Sequence, residues 1–242
     1  LKKLKVLHII RSLPISGAER ICVDICSELN KRDNIEIRLL SMSPINEYNE
    51  ITKKINFKII GSKVFPKIFK KSVIELKEYI NEIDEFKPDI IHSHLFWSEL
   101  LSRKYTKKNI IYVTHCHDNM IEFSNLSLKT FTKKLNLVRF FEKKWILNKY
   151  AKCENYFLTI SKDSEIYFKE VLPKKLQKIK LLPNAIKIEK FCDTRKDKRV
   201  LKNPKLKLIN IGSFLQKKNQ SFLIDVAKEL KNRKISFELV LI

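Results

Sequence analysis

Two short stretches place histidines two residues apart: His92 and His94 in DIIHSHLF, and His115 and His117 in VTHCHDN, where Asp118 follows directly. Each pair closes an apolar, strand-like run. A spacing of two puts both members of a pair on one face of a strand, and the C-terminal ends of parallel strands are where open α/β sheets bind ligands. Two chemistries fit. One is metal-assisted hydrolysis, with Asp118 adding a carboxylate to the imidazole donors; the other is a hydrogen-bonding or proton-accepting group at a reacting substrate. For His92 and His94 the simpler reading is that one of them packs or caps the next helix. The second pair is the stronger functional candidate.

A second kind of chemistry belongs to strand-to-helix turns. The chain holds only three glycines, and Gly17 lies in such a turn, RSLPISGAERICVDI, where Ser16 and Glu19 have the spacing of a capping box. Free N–H groups and the helix dipole at that point favour a phosphate. The stretch INIGSFLQKKNQSFLI repeats the plan, with Gly212, Ser213, Lys217 and Lys218 ahead of a helix. A lysine there adds a full charge to the dipole and suits a departing diphosphate. Neither a GxGxxG nor a Walker loop is present.

The elements that must carry these residues alternate between strand and helix, as in a parallel sheet wrapped by helices. LKVLHII, IEIRLLS, INFKII, PDIIHSH, NIIYVTH, NYFLTIS and KIKLLPN read as strands. Helices are expected over 18–31, 68–86, 96–106 and 127–150, with a short one after Ser161. Residues 185–204 are charged and aperiodic and read as a linker, with Asn184 as its hinge. The alternation restarts with KLKLINIG, a helix over 219–232 and ISFELVLI. The expected organisation is one Rossmann-like domain over 1–184, a linker over 185–204, and the incomplete start of a second domain over 205–242.

Composition narrows the class. With 44% hydrophobic residues the chain can bury a sizeable core. No apolar run is long enough to span a bilayer, and no signal peptide pattern opens the chain, so it reads as cytoplasmic. Five scattered cysteines exclude a disulfide framework; Cys22 and Cys26, one helical turn apart, read as core residues. The formal net charge is +23, yet the basic residues lack the interleaved aromatics of an RNA-binding surface, which argues against a nucleic-acid partner. The densest cluster lies in 127–152, where eight lysines and arginines are opposed by Glu142 alone. Its apolar residues, Val138, Phe141 and Trp145 among them, recur at helical steps, giving a basic amphipathic helix able to meet an anionic membrane surface.

Taken together these stretches resemble the bacterial group 1 retaining glycosyltransferases of family 4, which have the GT-B fold. KVLHIIRSLPISGAER is similar to their first strand and GGAE turn, and PDIIHSH to their strand ending in histidine. VTHCHD matches their His-containing active-site strand, LLPNAI their PNG segment, and NIGSFLQKKNQ their donor-phosphate loop. The resemblance implies an α/β, GT-B-like chain that takes a nucleotide-diphosphate sugar as donor and a lipid-linked or polysaccharide acceptor, with no cofactor and no catalytic metal. It implies His117 at the reacting sugar, with His115 as rival register. Gly17, Ser213, Lys217 and Lys218 would lie at the donor diphosphate, and Ser16, Glu19, His94 and Asp118 on the acceptor side. Ser16, Ala185 and Ser213 depart from the family's glycine, glycine and arginine. The family's E-x(7)-E segment would fall beyond Ile242, so a truncated chain, or an inactive remnant, is the companion expectation.

Overall fold

In a computed structural model, which describes residues 2–65, 67, 72–124, 134–188, 205–212, 214 and 218–242, the chain divides into two units, Leu1–Ile186 and Lys187–Ile242. The first contains β1 (Leu4–Ile10), α1 (Gly17–Leu29), β2 (Ile35–Ser41), α2 (Asn49–Thr52), β3 (Phe57–Ile59), β4 (Val64–Phe65), β5 (Val73–Ile74), α3 (Lys77–Phe86), β6 (Ile90–His94), α4 (Phe96–Lys104), β7 (Ile111–Cys116), α5 (Lys134–Tyr150), β8 (Glu154–Thr159), α6 (Lys162–Val171) and β9 (Ile179–Leu181). The second contains β10 (Leu206–Asn210), α7 (Gln220–Asn232) and β11 (Phe237–Leu241). Among the described residues no helix is long and apolar enough to cross a membrane.

Seven strands of the first unit form one sheet in the order β3-β2-β1-β6-β7-β8-β9, and every pairing in it is parallel. This is the doubly wound order, in which the chain leaves β1 in one direction and returns to its other side at β6. The crevice at that reversal lies above the C-terminal ends of β1 and β6. One face is covered by α1, where Val6, Ile10, Cys22, Val23, Cys26 and Leu39 are buried together. Cys22 and Cys26 are core residues, as their spacing suggests. The other face packs Leu7, Ile9, Ile91, Tyr112 and Phe157 against Ile83, Leu100, Ile146 and Phe168 of the helices. Each such side chain contributes about 1.5–3 kcal/mol by leaving water.

One expectation needs correction. Of the helix expected over 68–86, residues 68–71 lie outside the described residues; the part that follows holds β5, which pairs antiparallel with β4, and α3 begins only at Lys77. Val73 and Ile74 are β-branched, and pairing with Val64 and Phe65 wins over helix there. The basic cluster is helical over Lys134–Tyr150, and 125–133 lie outside the described residues. On that helix Val138 and Trp145 are buried, but so is Glu142, whose carboxylate accepts a hydrogen bond from Ser72. The single acid of the cluster therefore does not neutralise the solvent face.

Beneath the sheet runs a buried polar network that sequence reading missed. Arg103 and Glu99, both fully buried on α4, form an ion pair at 3.2 Å. The Arg103 guanidinium also donates to Asn155 Oδ1 of β8 at 2.7 and 2.9 Å, to Thr114 of β7 at 3.2 Å and to Ser93 of β6 at 3.3 Å. Burial pushes the Glu99 carboxyl up, opposed by Arg103 and by hydrogen bonds from Thr114 and Tyr150. Removing one charge strands the other, so Arg103→Ala is expected to lower unfolding free energy by about 3–5 kcal/mol, whereas Arg103→Met with Glu99→Met costs far less. Urea unfolding of the two variants checks this, and equal losses would contradict it.

Candidate functional site

The parallel register does more with the histidines than either pair announces. His8 of β1 lies opposite His92, and His94 lies opposite His115. All five histidines of the chain thus meet on the α1 face at the reversal point. His8 Nδ1 is 3.1 Å from His94 Nε2, and His94 Nδ1 is 2.9 Å from His117 Nε2. A second contact joins His92 Nε2 and His115 Nδ1 at 3.1 Å. The rings stack, most closely His115 on His117, with centroids 4.1 Å apart and planes 3° from parallel. One of His92 and His94 was expected to pack or cap the next helix; both are buried and stacked, and the rings they pack against belong to the same cluster as the second pair. His8 was missed because nothing in LKVLHII reveals which strand will lie beside it.

Four of the histidines, His92, His94, His115 and His117, hold their neutral forms. Burial pushes the His92 and His94 imidazoles well below the ordinary range, and the neighbouring rings, which would repel a second proton, push the same way. Burial takes His115 down to about 3. His117 falls to about 4, because burial outweighs the pull of Asp118 in the other direction. Among the described residues His115 Nε2 and His117 Nδ1 are buried without a hydrogen-bond partner. Such a nitrogen on a neutral imidazole is open to a hydrogen bond, while burial opposes its taking up a proton near neutrality.

Two triples, His8–His92–His94 and His94–His115–His117, bring one ligand nitrogen each within 4.8 Å of the others. A metal needs lone pairs that converge on one point. Near-parallel stacked rings such as His115 and His117 aim theirs side by side, and the facing nitrogens of His94 and His117 are spent on each other. Asp118 is exposed and accepts from the Met120 N–H at 2.9 Å, which closes a local turn rather than completing a donor set. The arrangement suits hydrogen-bond relay better than coordination.

The residues that end these strands are held in unusual backbone conformations. Leu95, directly after His94, has φ 67°, and Met120, in the turn after His117, has φ 29°. A left-handed leucine is costly, and such strain persists where surrounding structure over-determines it, commonly at sites of function. Here the Ser98 hydroxyl donates to the carbonyls of His94 and Leu95.

At the first strand-to-helix turn, α1 begins at Gly17 with Ser16 as N-cap. The expected capping box does not form: the Ser16 hydroxyl donates to the Glu19 carboxylate instead of accepting from the helix. The turn is pinned from outside by Tyr48, whose hydroxyl accepts from Ser16 N at 3.2 Å and donates to Ser16 O at 3.1 Å. A Cβ on Gly17 would meet nothing within 4 Å, so its glycine leaves open space above the helix N-terminus. In the second unit Ser213 and Lys217 lie outside the described residues, while Lys218 is exposed at the approach to α7, next to Gly212. Asn184 is exposed in the segment following β9.

Fold and site define an α/β protein of doubly wound topology, with its chemistry-bearing residues at the carboxyl ends of the strands. The model of Glycosyltransferase Family 4 matches residues 15–190, and the chain belongs to that family. No curated protein sequence matches it. Its GT-B-like fold is similar to that of the lipopolysaccharide outer core galactosyltransferase WaaB in its apo form (TM-score 0.58, 15% identity, covering 98% of this chain and 60% of that one). It is also similar to a glycosyltransferase from Rickettsia africae ESF-5 (TM-score 0.59, 13% identity, 100% and 69%) and to TarM (TM-score 0.65, 11% identity, 98% and 72%). The chain thus spans about 60 to 72% of the length of these structures.

The depressed histidines fix the sign of a pH dependence. In the unfolded chain each takes up a proton near pH 6.5, but in the folded chain His115 and His117 resist until about 3 and 4. The unfolded state binds more protons between those limits. Stability is therefore full above about pH 6.5 and falls as pH drops, by up to about 1.4 kcal/mol per pH unit for each such histidine. Urea midpoints measured from pH 7.5 to 5 should decline, and His115→Gln should flatten the decline. A flat profile in the unsubstituted protein would contradict the neutral cluster.

Proposed function

We infer that the chain is a glycosyltransferase that moves a sugar, with retention of configuration, from a nucleotide-diphosphate sugar to a lipid-linked or surface-polysaccharide acceptor. The observation that carries this reading is the family match over residues 15–190. The physical chemistry of the site agrees with it. As the glycosidic bond breaks, a nucleoside diphosphate gathers negative charge, which fixed donors stabilise more in the transition state than in the ground state. The helix N-terminus behind Gly17 in the first unit and the ammonium of Lys218 in the second are each groups of that kind; Ser213 and Lys217, close to Lys218 in sequence, are the further donor-phosphate candidates.

His117 is the candidate at the reacting sugar. Neutral at physiological pH, with its Nε2 engaged by His94, it keeps Nδ1 for a hydroxyl of donor or acceptor. His115, whose Nε2 is unengaged, is the rival. Ser16, Glu19, His94 and Asp118 complete the acceptor side of the proposal. No metal, cofactor or nucleic acid is invoked. The lysines of α5, with Glu142 turned inward, suit contact with anionic lipid on the cytoplasmic face of a membrane.

Donor turnover by the full chain, followed as release of nucleoside diphosphate, tests the assignment. His117→Ala is expected to lower kcat by about 10²–10⁴, and Lys218→Ala by about 10² through lost charge stabilisation. A larger loss for His115→Ala than for His117→Ala would transfer the role to His115. Activity abolished by a chelator and restored by zinc would favour a metal-dependent hydrolase and overturn the reading.

A further inference from the structure

A pocket of about 610 Å³ opens at the ends of β1, β2 and β3, against the start of α4. Its volume falls within the range of small-molecule sites. Met42, Val64, Phe65 and Trp97 supply apolar walls, and Arg11 and Lys63 supply two cations. Among the described residues the lining includes no acidic side chain, and no ion pair is formed by Arg11 or Lys63.

The pocket is built rather than incidental. Arg11 follows the last residue of β1, and its guanidinium lies 5.3 Å from the centroid of the Trp97 ring, a cation–π contact that orients both. Gly61 has φ 53°, a conformation that favours glycine, and a Cβ there would meet nothing within 4 Å. It turns the chain at the end of β3 so that Ser62 and Lys63 join the lining. The β4–β5 pairing then fixes Val64 and Phe65, and Phe65 remains 46% exposed.

We propose that this pocket binds an amphipathic phosphate: a phosphate ester held by Arg11 and Lys63, with its apolar chain laid along Met42, Val64, Phe65 and Trp97. The chemistry discriminates among anions. A bare phosphate would leave the apolar walls wet, and a neutral hydrocarbon would leave two cations unmatched. A nucleoside diphosphate would bring ribose hydroxyls that want a carboxylate partner, and the lining has none. The proposal rests on the transferase reading in one respect, since it makes the acceptor a sugar carried on a lipid phosphate rather than a free polysaccharide.

Binding can be tested without any sugar transfer. The full chain contains two tryptophans, and Trp97 reports on the pocket by fluorescence. Farnesyl phosphate, kept below its aggregation threshold, should shift the emission saturably, and Trp97→Phe should abolish the shift while leaving Trp145 in place. Arg11→Ala and Lys63→Ala should each weaken binding about tenfold or more, and farnesol and inorganic phosphate should bind at least tenfold more weakly. Farnesol binding as tightly would show that charge is not read, and inorganic phosphate binding as tightly would reduce the pocket to an anion site. UDP competing at equal affinity would assign the pocket to the donor. A response to phosphatidylglycerol vesicles but not to farnesyl phosphate would make it a membrane-contact patch. Each of these overturns the proposal. Donor turnover by a chain that fails to bind farnesyl phosphate would sink this inference and leave the transferase reading standing.

Discussion

The buried Arg103 guanidinium is the constraint on which the site depends. It rises from α4 and reaches Ser93, Thr114 and Asn155 on three successive strands, with Glu99 balancing its charge. Ser93 sits between His92 and His94, and Thr114 precedes His115. The same strands therefore carry the arginine's partners on one face and the histidines on the other. A slip of one residue in β6 or β7 would exchange the faces, stranding a buried cation and scattering the imidazoles. The cost of an unpaired buried charge makes the register of the histidine cluster a consequence of electrostatics beneath the sheet.

Above the sheet that register produces a directional chain. His8, His94 and His117 are joined through facing Nδ1 and Nε2 atoms. Neutral His94, at the middle, has one N–H and one lone pair, so both contacts are satisfied only if their protons point in the same sense. Reversing the His94 tautomer reverses both. A hydrogen bond made at His117 is thus coupled to the contact at His8, distant in sequence yet two ring contacts away in space. This coupling needs no protonated intermediate, which burial would oppose.

Much of this was legible in the sequence, and the losses have physical reasons. The strand-helix alternation, the turn at Gly17 and the carboxyl-end location of both histidine pairs follow from periodicity and local turn chemistry. Ser161 caps α6 by accepting from Ser164 N at 3.1 Å, as its position suggests. What depends on strand order was not legible: His8 joins the cluster only because β1 lies between β2 and β6. Arg103 and Glu99 went unnoticed because nothing local distinguishes a buried helix face in FWSELLSRKY. The capping box failed because Glu19 is itself buried and takes the Ser16 hydroxyl. Gly61, outside any motif, is the glycine whose backbone requires it, whereas Gly17 has an ordinary backbone and is defined by the space around it.

Net charge and local charge part company in this chain, and the difference bears on mechanism. A protein of formal charge +23 would be expected to suppress additional positive charge, and at the strand ends it does so: burial keeps four of the five imidazoles below their ordinary range, at His117 against the pull of Asp118. Within the first unit the cations Arg11 and Lys63 stand instead around the pocket. Hydrogen bonding at the strand ends is left to neutral rings. Were those histidines charged, they would repel one another across contacts of about 3 Å. Keeping the rings neutral in this way requires a dry centre, and the network under the sheet together with α1 over its other face supplies it.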